Sequence, residues 1–163
     1  MRAQWRELDR RIAAFDAEFV AVARNDMTAR RQATIPGIGA LNATALVAAV
    51  GNARSFARAR DLAAWLGLVP RQATTGGRPK LLGITKRGNK YLRTLLIHGA
   101  RAALPTLSTT RGSLGDWLRG LSARAHRNTV VVALASKLVR IAWAVLRSTA
   151  NYSATMGDQP ATA

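Results

Sequence analysis

The chain has 163 residues, with 25 Lys and Arg against 8 Asp and Glu, a formal charge of +17 and no Cys. A chain of this length hides roughly 70% of its unfolded surface, and 48% hydrophobic residues are too many for a disordered basic tail. The absence of Cys excludes a disulfide framework, a thiol nucleophile and a zinc knuckle, while a pI near 12.0 in a folding chain points to a polyanionic partner, most often nucleic acid.

The first block, residues 1–31, carries Trp5, Leu8, Ile12, Phe15, Phe19 and Val22 at alternating steps of three and four. That is the a/d seam of a heptad repeat. It predicts a linker helix that pairs with another helix, in a second copy or a partner subunit. The bland alternative is an amphipathic helix packed on its own domain. No apolar core of a signal peptide is visible at this end.

The second block, residues 34–67, opens on Thr34-Ile35-Pro36-Gly37-Ile38-Gly39, followed by an Ala-rich helix to Val50. Pro36 and the glycines predict a tight hairpin. Gly37 and Gly39 permit close approach of a phosphate to the backbone, and the new helix offers unpaired N–H groups and the positive end of its dipole. This resembles the hairpin of helix-hairpin-helix modules. The alternative is a corner whose glycines only allow tight packing. A second helix follows, with Leu62, Trp65 and Leu66 facing inward and Gly67 as its stop.

The third block, residues 68–101, contains no carboxylate, nor does any position from Leu62 to Gly115. It reads Arg71-Gln72-Ala73-Thr74-Thr75-Gly76-Gly77-Arg78-Pro79-Lys80, which predicts an exposed, anion-friendly loop. A helix follows from Asn89, with Lys86, Arg87, Lys90 and Arg93 crowded at its start. Cations there oppose the helix dipole, so the expectation is that they serve a ligand and are not merely a solvated face. Metal-dependent phosphoryl transfer needs converging carboxylates, and this stretch supplies none. Nor can the distant His98 and His126 form a histidine-rich metal site.

In the remainder, residues 111–127 read as a helix around Trp117, Leu118 and Leu121. Residues 128–148 read as a long helix whose stripe Val131, Leu134, Leu138, Ile141 and Val145 is core. Its apolar part, interrupted by Ser136, Lys137 and Arg140, reads as too short and too charged to span a bilayer. No strand is expected anywhere. The fold class is all-α: a coiled-coil-like helix over residues 1–31, a compact helical domain over 32–148 with a helix-hairpin-helix-like element, and a flexible tail over 149–163. A cytoplasmic, nucleoid-associated protein with no membrane partner is the expectation.

Several motifs in order carry a resemblance: Ile35-Pro36-Gly37-Ile38-Gly39, Trp65-Leu66-Gly67-Leu68-Val69-Pro70-Arg71-Gln72, Gly76-Gly77-Arg78, Ile84-Thr85-Lys86-Arg87-Gly88-Asn89, Leu92-Arg93, Ile97-His98-Gly99-Ala100-Arg101 and Val139-Arg140-Ile141-Ala142-Trp143-Ala144-Val145-Leu146. Over about two-thirds of its length the chain resembles the C-terminal domain of insertion-sequence-110 family transposases, including the 1111-type branch. These are bridge-RNA-guided recombinases related to Piv-type invertases.

The resemblance implies DNA and a structured guide RNA as partners. It also implies a coiled coil where the Trp5–Val22 seam lies, and a RuvC-like domain ahead of it whose carboxylates bind Mg²⁺, with no cofactor in this chain. On that reading the chain begins at the linker helix, is a truncated piece and is inactive without the RuvC-like domain. The family's serine nucleophile falls in the hydroxyl pair before the glycines, which here is Thr74-Thr75. Either threonine is a candidate; its methyl group restricts χ1 and crowds an in-line attack. The nucleic-acid-binding candidates are Gly37, Gly39, Arg71, Arg78, Lys80, Lys86, Arg87, Asn89, Lys90 and Arg93. A non-enzymatic helix-hairpin-helix nucleic-acid binder is the alternative.

Overall fold

A computed structural model describes residues 2–75 and 77–153, with Thr75 described by its backbone alone. Its elements are α1 (Arg2–Asn25), α2 (Met27–Gln32), α3 (Ala40–Val50), α4 (Ala59–Trp65), β1 (Pro70–Thr75), β2 (Arg78–Ile84), α5 (Lys90–Thr109), α6 (Ser113–Ser122) and α7 (Arg127–Arg147). The fold is mostly α, as composition and periodicity suggest. The expectation of no strand is wrong, because β1 and β2 form an antiparallel hairpin.

The first block is two helices, not one. Asp26 breaks it by capping α2: its carboxylate accepts from the backbone N–H of Thr28 at 2.7 Å and of Ala29 at 3.0 Å. Such a cap satisfies donors that the first helical turn otherwise leaves orphaned. The seam of α1 lies in the open. Trp5 is 64% exposed, Ile12 51% and Phe15 59%. Only its C-terminal end, through Ala23, joins the core.

The core is organised around α7, which packs against α5, α4, α2 and α6. Leu134, Leu138, Val139, Ala142 and Val145 of α7 are buried, as are Leu62 and Leu66 near α4 and Leu92, Leu96 and Ala100 of α5. By length and composition α7 is apolar enough to cross a membrane, contrary to the sequence expectation. Its apolar stripe is instead the centre of the helical body. Polar ties reinforce the packing: the buried Gln32 side chain donates to the Ala142 carbonyl at 3.1 Å, and Arg31 donates to the Ser148 carbonyl at 2.7 Å.

The start of the expected flexible tail is docked. Tyr152 is half-buried against the core, and its N–H donates to the Thr34 hydroxyl at 3.0 Å. The rest of that tail, residues 154–163, lies outside the described residues.

Candidate nucleic-acid interface

The hairpin pairs Gln72 with Leu81, Ala73 with Lys80, Thr74 with Pro79 and Thr75 with Arg78, with an irregularity between Pro70 and Gln72. Its connection needs a residue at positive φ, which Gly77 supplies at φ +75°. Apart from Ile84, which reaches the core at the base, neither strand packs against a helix among the described residues. Arg71, Gln72, Thr74, Arg78, Pro79 and Lys80 are exposed. Leu81 is 69% exposed. The threonine pair therefore rides at the far end of a basic two-stranded arm.

The base of the arm is held firmly. Thr85 donates its N–H to the Val69 carbonyl at 2.9 Å, and Lys86 donates to the Gly67 carbonyl at 3.2 Å. Gly67, at φ +69°, presses on the backbone of Arg87, where a Cβ would lie 2.0 Å from the Arg87 carbonyl oxygen. No L side chain fits that contact. Lys86 itself adopts φ +58°, a conformation that a non-glycine residue holds only when its surroundings dictate it. Thr85 adds a buried hydroxyl oxygen with no hydrogen-bond partner.

The predicted cations divide into two groups. Lys86, Arg87 and Lys90 are exposed beside the arm's base. Arg93 is not on the surface: it is 8% exposed, and its Nη1 donates to the carbonyls of Leu66 and Arg87, both at 3.0 Å. It is a strut that ties the end of α4 to the loop before α5. Asn89 is engaged in a cap, its Oδ1 accepting from the Leu92 N–H at 3.1 Å. The crowding of cations at this helix start thus has a mixed origin, part surface charge and part internal fastening.

The two hairpin glycines also differ. Gly37, at φ +86°, lies against α5, where an added Cβ would stand 2.9 Å from the Gly99 carbonyl oxygen. Gly99 reciprocates, with its own Cβ position 2.0 Å from the Gly37 carbonyl oxygen. Asn42 seals the contact by donating to the Gly37 and Leu95 carbonyls at 3.3 and 3.2 Å. Gly37 therefore serves close packing. Gly39 is exposed, caps α3 in an extended conformation and has open space where a Cβ would stand.

Among the described residues, no group of three or more His, Cys, Asp or Glu could hold a metal ion. Glu7 is paired with Arg10 and Arg11 on α1, Asp26 and Asp61 cap helices, and Asp116 is paired with Arg119. This scattered donor set does not fit a Mg²⁺ ion, which wants converging oxygens.

Sequence reasoning missed the arm and its socket. A signal existed: two Gly residues between short runs are a hairpin connection.

A model of the transposase IS116/IS110/IS902 family matches residues 29–112, which include the end of α2, the whole of α3 to α5 and the whole arm. A probable family 20 transposase of Pseudomonas aeruginosa is 45% identical over 146 residues, covering 90% of this chain and 43% of the relative. The transposase of insertion sequence element IS1111A of Coxiella burnetii is 44% identical over 144 residues, covering 88% and 40%. A pilin gene-inverting protein of Moraxella bovis is 30% identical over 120 residues, covering 71% and 35%. The chain thus spans about two-fifths of the length of the curated relatives it matches. With its family match running over more than half its length, the chain belongs to the IS116/IS110/IS902 family of transposases.

Proposed function

We propose that this chain contributes the nucleic-acid-binding and hydroxyl-bearing part of a machine for DNA transposition or site-specific recombination. The observation that carries the reading is the exposed Thr74, followed in the strand by Thr75, on a basic, carboxylate-free arm fixed to a rigid base. The transposase and pilin-inverting names of its relatives agree with it.

In this reading a threonine hydroxyl oxygen attacks a DNA phosphorus. The threonine gives up its hydroxyl proton as the O–P ester bond to the protein forms, one bridging P–O bond breaks, and the departing strand's oxygen takes up a proton and leaves as a hydroxyl. The covalent link conserves the phosphodiester for rejoining. Arg71, Arg78 and Lys80 on the arm, with Lys86, Arg87 and Lys90 at its base, offset the negative charge of the phosphates. Gly39 and the start of α3 offer further backbone donors to a phosphate. The chain's own donor set supplies no converging carboxylates, so those come from a RuvC-like domain acting with it. A structured guide RNA selects the target by base pairing, and the α1 seam joins copies or subunits.

The test is a cleavage reaction with target DNA, guide RNA, Mg²⁺ and a RuvC-like domain supplied alongside this chain. A covalent protein–DNA adduct is expected, abolished by Thr74→Ala or by Thr75→Ala. An adduct that survives both single substitutions and the double one overturns the nucleophile assignment. DNA and RNA binding without any cleavage leaves the chain a helix-hairpin-helix binder.

A further inference from the structure

The arm is an unusual object for a soluble fold. An isolated two-stranded hairpin is marginally stable in water, because it has no layer on which to bury a face. Here both faces are open, Leu81 is 69% and Leu82 39% exposed, and no helix covers either strand. Proteins normally blunt such a ribbon or cover it. This one is instead clamped at its base by Arg93 and by the Val69–Thr85 and Gly67–Lys86 hydrogen bonds, so it stands away from the helical body in a set direction.

Its chemistry selects what covers it. The exposed charges on the strands are Arg71, Arg78 and Lys80, with no carboxylate on either strand to answer them. The pleat alternates Arg78 and Lys80 with Pro79 and Leu81, which gives one cationic face and one face that is neutral, with Gln72 and Thr74 opposite Leu81 and Pro79. A partner that satisfies the first face is a polyanion.

Its shape selects which polyanion. The major groove of B-form DNA, about 12 Å wide, admits a two-stranded ribbon. The major groove of an A-form RNA helix is deep and too narrow for side chains to read. We infer that the β1–β2 arm is a groove-entering ribbon: it lies in the major groove of B-form duplex DNA, with Arg71, Arg78 and Lys80 on the flanking phosphates, and does not engage RNA duplex. This rests on the proposed DNA-binding function and adds to it the element, the groove and the choice of duplex.

The experiment compares the full chain with a variant carrying Arg71→Ala, Arg78→Ala and Lys80→Ala, and with a charge-matched control carrying Arg124→Ala, Arg127→Ala and Arg140→Ala. These substitutions all lie at exposed positions, and helical circular dichroism checks that each variant folds. Binding is titrated against a mixed-sequence DNA duplex and an RNA duplex of the same sequence across salt, and guanine N7 methylation reads occupancy of the major groove. The wild type is expected to protect N7. The arm variant is expected to lose this protection, to bind DNA at least tenfold more weakly, and to show a log–log salt slope shallower by roughly two to three. Its affinity for RNA duplex is expected to stay within twofold, and the control is expected to keep N7 protection.

An arm variant that retains N7 protection and DNA affinity overturns the inference. So does an equal loss on DNA and RNA, which makes the arm a general phosphate contact. So does loss of N7 protection in the control. A wild type that binds neither duplex overturns the underlying nucleic-acid reading instead, so the two failures are distinguishable.

Discussion

Gly88 lies so close to Trp65 that a Cβ on Gly88 would stand 1.7 Å from the Trp65 carbonyl oxygen. This contact brings the last residue before the α5 cap onto the end of α4, with Gly88 at φ +83°. Gly88→Ala therefore meets two penalties, a disfavoured backbone conformation and a clash with main chain that cannot step aside. The expected cost is about 3 kcal/mol, a fall of roughly 6–12 °C in Tm for a domain of this size. Calorimetry or thermal circular dichroism checks it. A Tm within a degree of wild type would mean that this joint is looser than the geometry implies.

Arg93 fastens the same joint from inside. Its guanidinium reaches two carbonyls at 3.0 Å from a buried position. Arg93→Met keeps much of the apolar stem and leaves both carbonyls without this donor. The cost is expected at about 2–4 kcal/mol, since buried acceptors stripped of a partner cost about 1–3 kcal/mol each. Arg93→Lys retains a charge without the planar fork and is expected to recover less than half of the loss. Chemical denaturation of the three proteins measures the order, and equal stability of the Met variant and wild type would refute the strut.

The contrast between Arg93 and its neighbours shows what sequence patterns convey and what they do not. The core stripe of α7 was legible because Val131, Leu134, Leu138, Ile141 and Val145 repeat at helical spacing, and these residues are buried. The Asn89 start of α5 was legible because a short polar side chain before an apolar run is a capping signal. Of the hairpin, the Gly76-Gly77 connection left a signal, but its strands did not, because strand recognition relies on alternation of buried and exposed residues, and an arm with both faces in the open has no such alternation. Nor could local sequence separate Arg93 from Lys86, Arg87 and Lys90. Its partners, Leu66 and Arg87, are brought to it by the tertiary approach of Gly67 and Gly88. Gly37 and Gly39 look alike in sequence for the same reason; only the contact with Gly99 distinguishes the packed one from the open one.

Gln32 is a second buried polar group whose role can be measured. It is 0% exposed, donates to the Ala142 carbonyl and leaves its Oε1 without a partner. Methionine removes the donor together with the orphaned acceptor, and the Ala142 carbonyl that it leaves lies inside α7, where the helix's own N–H ladder supplies a partner. Gln32→Met is expected to lie within about 1 kcal/mol of wild type, whereas Gln32→Ala opens a cavity and is expected to cost about 2–3 kcal/mol. Urea unfolding of the pair separates the two contributions. A Met variant that is no better than the Ala variant would assign the stability to the Gln32–Ala142 hydrogen bond.

The exposed seam of α1 makes the opposite demand. Ile12 and Phe15 are half or more exposed, so charges placed there cost the isolated fold little, within about 0.5 kcal/mol for surface sites away from packing. A seam that pairs with another helix cannot tolerate them, since a/d positions of a coiled coil lie in a dry interface. Ile12→Glu with Phe15→Glu is therefore expected to leave Tm nearly unchanged at low protein concentration while shifting the sedimentation profile to monomer. The wild type is expected to self-associate with a concentration dependence that the double variant lacks. Monomeric wild type throughout the concentration range would refute self-pairing and leave a different partner helix as the seam's occupant. A double variant that still associates would place the contact elsewhere on the molecule, away from α1.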